Sequence, residues 1–323
     1  MALATDRQLR RRLKLRDLDT LIAVSQSGSM AKAAALLSLS QPAVSKAMAE
    51  LEGTLGVPLF DRTSQGVVPT AYGRALLKWS AAVFDDVRQG VNEIEFLADP
   101  GTGELRIGAS EPMLVGVLPA ILDRLSRRYP RMSFQIAPFA GTALQQRDLL
   151  ERRIDLAIGR VQERAELGDF HTEILFDEPL LVVAGRNNPL VRRRRVTFAE
   201  IADEPWTLPR PETLAGQMIA DAFRANGAEP PRSGIVCNSV GMHFALLDTG
   251  RFLAMFPGSL LRFGTQGDSI SVLPVDLGIR AEPVGISTLK NRTLSPAAQI
   301  FVECARDVVK PLTRRAGTMK RAD

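Results

Sequence analysis

Gln41, Pro42, Ser45 and Lys46 stand at a spacing that places all four on one face of a helix. Their types suit the major groove of a DNA duplex. An amide can pair with an adenine edge, a lysine with a guanine edge or a phosphate, and a proline or alanine can meet a thymine methyl. The elements needed to present this face lie close by in the chain. Ser40 is a good N-cap, and Pro42 falls in a first turn where a proline loses no hydrogen bond, so a helix is expected to start at about Gln41. Val44, Met48 and Leu51 form its inward stripe, leaving Ala49 with the four polar-face residues outside. Upstream, Ala33, Ala34 and Leu37 let one helix lie close on the next, with the turn at Leu39-Ser40. A first amphipathic helix carries Leu15, Leu18, Leu21, Ile22 and Val24 and stops at Gly28. Downstream, Leu59-Phe60-Asp61-Arg62 and Val67-Val68 flank Thr63-Ser64-Gln65-Gly66 and predict a two-stranded wing. Three helices and a wing make a winged helix-turn-helix. An ordinary helical hairpin with a solvated polar face is the alternative, and it leaves the wing unexplained.

Ala33-Ala34-Ala35-Leu36-Leu37, Ser40 to Ser45, Leu51-Glu52, Leu55-Gly56, Leu59 to Arg62 and Thr70-Ala71-Tyr72-Gly73 together resemble the DNA-binding domain of LysR-type transcriptional regulators. The resemblance implies DNA contacts at Ser29, Lys32, Gln41, Pro42, Ser45, Lys46, Arg62 and Thr63. The chain departs from the family pattern at Gln65, where the wing usually carries a basic residue, and at Pro69, where a leucine is usual.

From Tyr72 to Ala98 the chain has no proline, then stops at Asp99-Pro100-Gly101, the pattern of a long helix and a linker. Leu77, Phe84, Val91 and Ala98 recur every seven residues, with Ser80, Val87 and Ile94 interleaved, a seam spanning about 40 Å at helical rise. Leu77, Phe84, Val87, Val91 and Ile94 are therefore the expected dimerisation residues. Pairing would present two reading helices to the half-sites of a dyad-symmetric operator. A helix buried against its own domain is the competing reading.

Beyond residue 103 the pattern alternates strand and helix: a strand at Leu105–Gly108, a helical stripe from Leu114 to Leu125, a strand at Ser133–Ala137, a helix at Ala143–Arg152 and a strand at Asp155–Gly159. This predicts a parallel sheet with helices on its faces. The unit repeats after a crossing segment, Leu180–Ala184, with helices near Glu212–Asn226 and Ser239–Thr249 and strands near Ile235–Cys237 and Phe252–Phe256, giving two lobes around a cleft. The region resembles the effector-binding domain of the same family, itself similar to periplasmic solute-binding proteins. In open sheets of this kind, ligands sit beyond the carboxyl ends of the strands. Candidate effector contacts are Ser110, Pro112, Gly141, Thr142, Arg160, Asn238, Ser239 and Pro257. Arg160 is the cation placed to meet a carboxylate, with Glu111 as a competing partner, and Ser110 and Ser239 could equally serve as helix caps.

The expected fold class is α+β multidomain. The expected boundaries are a DNA-binding domain at 1–71, a linker helix at 72–99, an effector-binding domain at 100–313 and a basic tail at 314–323. Lobe I would take about 103–175 and 283–313, and lobe II about 176–282. The 323 residues are 45 % hydrophobic with a net charge of +5, an excess that fits a polyanionic partner only weakly. Arg7, Arg10, Arg11, Arg12, Lys14 and Arg16 could lie along phosphates or form a solvated arm, whereas Arg192-Arg193-Arg194-Arg195 reads as a solvated loop. There is no signal peptide pattern and no membrane-length apolar run, so a cytoplasmic protein without membrane contact is expected. Cys237 and Cys304 lack metal or redox spacing and read as reduced, buried thiols. No nucleophile elbow, phosphate loop or metal motif is present, and His171 and His243 have no local carboxylate or cysteine partner. The expectation is therefore no enzyme, no cofactor and no metal. It is a ligand-responsive regulator that binds double-stranded DNA, a small-molecule effector such as an aromatic acid or a sugar, and RNA polymerase. As the resemblance implies, it would work as a dimer or tetramer and activate a metabolic or uptake operon. The alternative is a cytoplasmic small-molecule-binding protein without sequence-specific DNA binding.

Overall fold

The computed structural model describes residues 12–63, 66–161, 168–231, 234–264 and 269–316. The chain divides into two compact units, Met1–Gly90 and Val91–Asp323.

In the first unit, α1 (Leu15–Ser27), α2 (Met30–Leu36) and α3 (Gln41–Leu55) precede β1 (Phe60–Thr63), β2 (Gly66–Pro69) and α4 (Ala71–Ala98), within which the division falls. The local chemistry accounts for each boundary. Gly28 ends α1 in the left-handed conformation, φ +64°, and donates its N–H to Val24 O. Ser40 caps α3 by accepting from the Ala43 N–H at 3.4 Å. Leu21, Val24, Ala33, Val44, Met48, Leu51 and Leu59 are buried together, each full-sized apolar side chain contributing about 1.5–3 kcal/mol. Ala33 and Ala34 have no bulk to hold α2 away from its neighbours. The wing is an antiparallel pair, Phe60 opposite Pro69 and Thr63 opposite Gly66. Its foot is fixed by the Glu52 carboxylate, which accepts from the Leu59 and Phe60 N–H groups at 2.7 and 3.3 Å. A Cβ at Gly73 would lie 2.1 Å from Leu59 O, so only glycine lets α4 cross there.

Helix α4 corrects the expected seam. Leu77, with Leu76, packs on the winged-helix core instead of remaining free for another copy. Phe84 is half-buried, while Trp79, Val83, Val87, Val91, Ile94 and Leu97 are exposed, Trp79 by 67 % and Leu97 by 74 %. The bare apolar stripe is thus rotated by roughly 60° from the expected one, at 100° per residue. The first turns of α4 are used to close their own domain, which is why the free stripe starts later.

The second unit contains, in chain order, β3 (Thr102–Ser110), α5 (Glu111–Val115), α6 (Val117–Arg128), β4 (Arg131–Phe139), α7 (Thr142–Leu150), β5 (Leu156–Arg160), β6 (Phe170–Glu178), β7 (Leu180–Gly185), α8 (Phe198–Ile201), β8 (Thr207–Leu208), α9 (Leu214–Ala225), β9 (Ile235–Val236), α10 (Val240–Asp248), β10 (Leu253–Pro257), α11 (Gly258–Phe263), β11 (Ile270–Val272), β12 (Glu282–Leu289) and α12 (Pro296–Ala316). Lobe I is a five-stranded sheet in the order β4-β3-β5-β12-β6. The three strands expected to form a parallel sheet do so, and two further strands make the whole sheet mixed. β4, β3 and β5 are parallel, but β12 runs antiparallel to both β5 and β6. β6 escapes sequence reading because Phe-His-Thr-Glu-Ile-Leu-Phe-Asp-Glu shows neither clean alternation nor a continuous apolar run. The helix expected over 114–125 breaks at Gly116, where a Cβ would meet Pro112 O at 2.9 Å and Leu260 Cα at 3.2 Å. Lobe I extends to Glu178, past the expected limit at 175, and α12 continues to Ala316, so the first positions assigned to a tail are helical. Residues 317–323, the arm residues Arg7, Arg10 and Arg11, and the wing-tip Gln65 lie outside the described residues.

Asp155 ties lobe I together. Its carboxylate meets Arg106 at 2.9 Å and Arg292 at 2.5 Å. Burial would raise its pKa, but hydrogen bonds from Arg106 and the charge and hydrogen bond of Arg292 prevail and hold it well below the usual carboxylate range. Lobe II is built on β10-β7-β11, with the β8-β9 pair joined to it through a Trp206–Leu253 bridge. Trp206 and Phe223 pack edge to face at 5.3 Å in its core. The chain passes from lobe I to lobe II through Pro179 alone, between β6 and β7, and returns through residues 273–281.

Candidate DNA-reading face and ligand cleft

Gln41, Pro42 and Lys46 are exposed on α3 and Ser45 is half-buried between them and the core. Lys46 Nζ lies 3.8 Å from Glu50 Oε1, both side chains largely in solvent, a pairing that leaves the lysine free to exchange partners. Ser29 occupies the N-cap position of α2 without a side-chain capping bond, and Lys32 on the same helix is exposed. Arg62 lies on β1, opposite Val67, and Thr63 Oγ1 donates to Gly66 O at 3.1 Å. The matching motif therefore divides by role. Glu52, Gly73 and the buried alanines hold the scaffold, while Gln41, Pro42 and Lys46 make no side-chain hydrogen bond to the fold among the described residues.

In the second unit a cavity of about 470 Å³ opens between the lobes. Ser110, Pro112, Gly141, Thr142 and Arg160 line it from lobe I, and Asn238 and Pro257 from lobe II. This brings seven of the eight expected residues together from the strand ends of both sheets. Ser239 does not line it. Its hydroxyl accepts from the Met242 N–H at 3.3 Å as the cap of α10, the simpler of the roles open to it. Ser110, by contrast, makes no capping bond and stays available to the cavity. Asn238 Oδ1 accepts from the Arg210 N–H at 3.0 Å, so one of its polar atoms is already engaged.

Arg160 ends β5 on the cavity wall. Its side-chain partner is Met218 Sδ at 2.8 Å, and no carboxylate lies within ion-pair distance of it among the described residues. Glu111 is not its partner. Burial lowers the guanidinium pKa, while the charges of Glu178 and Glu282 raise it, and an arginine remains protonated throughout. Glu178, 1 % exposed, accepts the Ser259 N–H at 2.9 Å and the Ser259 hydroxyl, and burial pushes its carboxyl up against the opposing pull of those bonds.

Two features were not anticipated. Gln145, one turn after Thr142 on α7, is buried at 6 % yet lines the cavity, and its i+3 spacing from Thr142 was the available signal. His243 lines the cavity too, with Nδ1 2.7 Å from Thr207 Oγ1 and Nε2 3.8 Å from Cys237 Sγ. The cysteine partner that the local sequence withholds from His243 is thus supplied from the loop after β9. Burial lowers the His243 pKa, which keeps the ring neutral at neutral pH. Cys237 is part-buried and Cys304 buried, and both are free thiols. Among the described residues no cluster of three or more His, Cys, Asp or Glu is placed to hold a metal, and no helix is long and apolar enough to cross a membrane.

The comparisons with known proteins agree with this division. Residues 15–74 match the model of the bacterial regulatory helix-turn-helix protein, lysR family, and residues 98–310 match that of the LysR substrate binding domain. The chain is 29 % identical over 309 residues to the HTH-type transcriptional regulator GbpR of Azospirillum brasilense, covering 95 % of this chain and 90 % of the relative. It is 30 % identical over 293 residues to the SDS degradation transcriptional activation protein of Pseudomonas sp. (strain ATCC 19151), covering 88 % and 93 %. The crystal structure of full-length CbnR complexed with target DNA shares the fold at a TM-score of 0.63 and 22 % identity, covering 92 % of this chain and all of that one. The chain belongs to the LysR family of DNA-binding transcriptional regulators, with a helix-turn-helix domain followed by an effector-binding domain.

Proposed function

We propose that this protein is a cytoplasmic transcriptional activator that binds a dyad-symmetric operator as a dimer or tetramer and changes its output when a small molecule occupies the interlobe cavity. The observation that carries the reading is the cavity wall, where Arg160 has only the Met218 thioether as its side-chain partner and Ser110 makes no capping bond. DNA contacts are assigned to Ser29, Lys32, Gln41, Pro42, Ser45, Lys46, Arg62 and Thr63, and self-association to the apolar stripe of α4 that includes Val87, Val91 and Ile94. A ligand bridging both lobes favours one lobe orientation over another, and that difference in affinity is the energy available for altering DNA bending and contact with RNA polymerase. The Pseudomonas relative named as an activation protein supports activation over repression.

The test is selection of bound fragments from genomic DNA by purified full-length protein at moderate salt. The expected result is one enriched site with dyad symmetry beside a divergent promoter whose transcription rises with the ligand. Recovery of no preferred sequence would refute the proposal.

A further inference from the structure

The ligand cavity is asymmetric in its chemistry. Its lobe II wall is largely apolar, with Leu214, Met218, Met255 and Phe256 facing the space. Most polar groups beside them are engaged: Thr213 Oγ1 donates to Arg210 O at 2.7 Å and accepts from the Gly216 N–H at 3.1 Å, Asn238 Oδ1 accepts from the Arg210 N–H, and His243 Nδ1 lies 2.7 Å from Thr207 Oγ1, which leaves the Asn238 amide nitrogen open. The lobe I wall has apolar members too, Phe139 and Leu144 among them, but it also carries Ser110, Glu111, Thr142, Gln145 and Arg160. Gln145 is more than nine-tenths buried and makes no side-chain hydrogen bond among the described residues, yet no side-chain nitrogen or oxygen sealed from solvent lacks a partner. Its amide therefore opens into the cavity. Gln145, Thr142 and Arg160 also share a second recess of about 10 Å³, so the guanidinium and the amide border the same space twice. Gly141 leaves the first turn of α7 without a side-chain cap, so the N–H groups there add to the same positive patch.

Resting on the reading of this cavity as the effector site, we infer that the effector is a compact amphipathic carboxylic acid, with its carboxylate on Arg160 and Gln145 and an apolar body against Leu214, Met218 and Phe256. Among the described residues Arg160 is the one guanidinium lining the cavity, with the Glu111 carboxylate on the same wall, so the site balances a single negative charge, which favours a monocarboxylate over a phosphate or a diacid. A thioether is a weak acceptor, so the Arg160–Met218 contact yields readily to a carboxylate that accepts two N–H bonds at once. Sugar hydroxyls, in contrast, would be stranded against the lobe II wall, where each unpaired polar group costs binding.

The test is isothermal titration of the full-length protein with benzoate, cyclohexanecarboxylate and octanoate as acid probes, benzamide as the neutral isostere of benzoate, and D-galactose. At least one acid is expected to bind, with benzamide weaker by about ten- to hundred-fold, the loss that follows removal of a charge-assisted bond. Arg160→Gln and Gln145→Leu should each weaken the acid by a similar factor without shifting the melting temperature. Gln145→Glu, which keeps the side-chain size and adds a like charge, should abolish its binding. Binding of none of the acids, equal binding of benzamide and benzoate, or acid binding indifferent to Arg160→Gln overturns the inference. Operator binding, measured alongside, separates this inference from the reading beneath it. An Arg160-dependent acid that leaves DNA binding and transcription unchanged would sustain the ligand class and refute the regulator reading. A neutral sugar that alters DNA binding would do the reverse.

Discussion

The two units mark their sites in opposite ways. In the first, Lys32, Gln41, Pro42 and Lys46 of the candidate reading residues are exposed, and the buried residues of the same motif serve the scaffold. In the second, the candidate ligand residues line a partly enclosed cavity, and what marks the polar ones is that Ser110 makes no capping bond and Arg160 meets only a thioether. The difference follows from what each face would meet. A duplex is a large, hydrated polyanion that a protruding helix can approach from solvent, whereas a small molecule must be surrounded to be held. Exposure is therefore informative in one unit and unpaired burial in the other.

Asp155→Asn should have the largest effect and be confined to the second unit. It leaves Arg106 and Arg292 without their counter-charge, at a cost of about 3–5 kcal/mol, seen as a lowered melting transition for that unit. Because the native pKa is depressed, the stabilisation that Asp155 provides is present above about pH 4 and is lost as pH falls through the native value. An unchanged transition would break the view that lobe I is held by this ion cluster. Gly73→Ala comes next, with its Cβ forced against Leu59 O, and should cost roughly 2–3 kcal/mol. It should remove operator binding while ligand titration of the second unit stays normal, and loss of both would show that the units do not fold separately. Gln41→Ala should lower operator affinity by about 1–3 kcal/mol while sparing binding to unrelated DNA, as read by competition. Equal loss on both DNAs would place Gln41 among phosphate contacts. Smallest is Glu50→Gln, which frees Lys46. Melting should not change, and the slight gain in DNA affinity should fade as salt is raised.

Legibility in the sequence followed the same line. The first unit could be read because its signals are local: Ser40 before Pro42, the alanine pair, and glycines at enforced turns all act within a few residues. The exception was α4, whose heptad pattern does not say which turns are used by the domain at its own start, so Leu77 was placed on the wrong partner. In the second unit the strand ends that build the cavity were found because helix caps and glycines mark them, and seven candidate residues came together there. Ser239 was misplaced because a serine at a strand end reads the same whether it caps or binds. Gln145 had only its i+3 spacing from Thr142 to signal it and the Cys237–His243 contact had nothing, for a physical reason. The role of one depends on a missing partner, which spacing alone does not reveal, and the other on a loop returning beside a helix. β6 and β12 were missed as antiparallel members because a strand that pairs across more than a hundred residues carries no local signal of its direction.

The single-residue passage at Pro179 has a consequence in time. Strands β6 and β7 belong to different sheets, so a turn of the lobes about this point and residues 278–281, beyond the buried Leu273 and Leu277 of lobe II, would separate no strand pair. Motions of that kind run in microseconds to milliseconds, far faster than steps that require local unfolding or proline isomerisation. Ser259, at the start of α11, is bonded to Glu178 directly beside the passage and so ties lobe II to the last residue of β6. If ligand acts through such a turn, as proposed, the delay between a change in ligand concentration and the response would be set by ligand arrival and release, with almost no lag added by the fold.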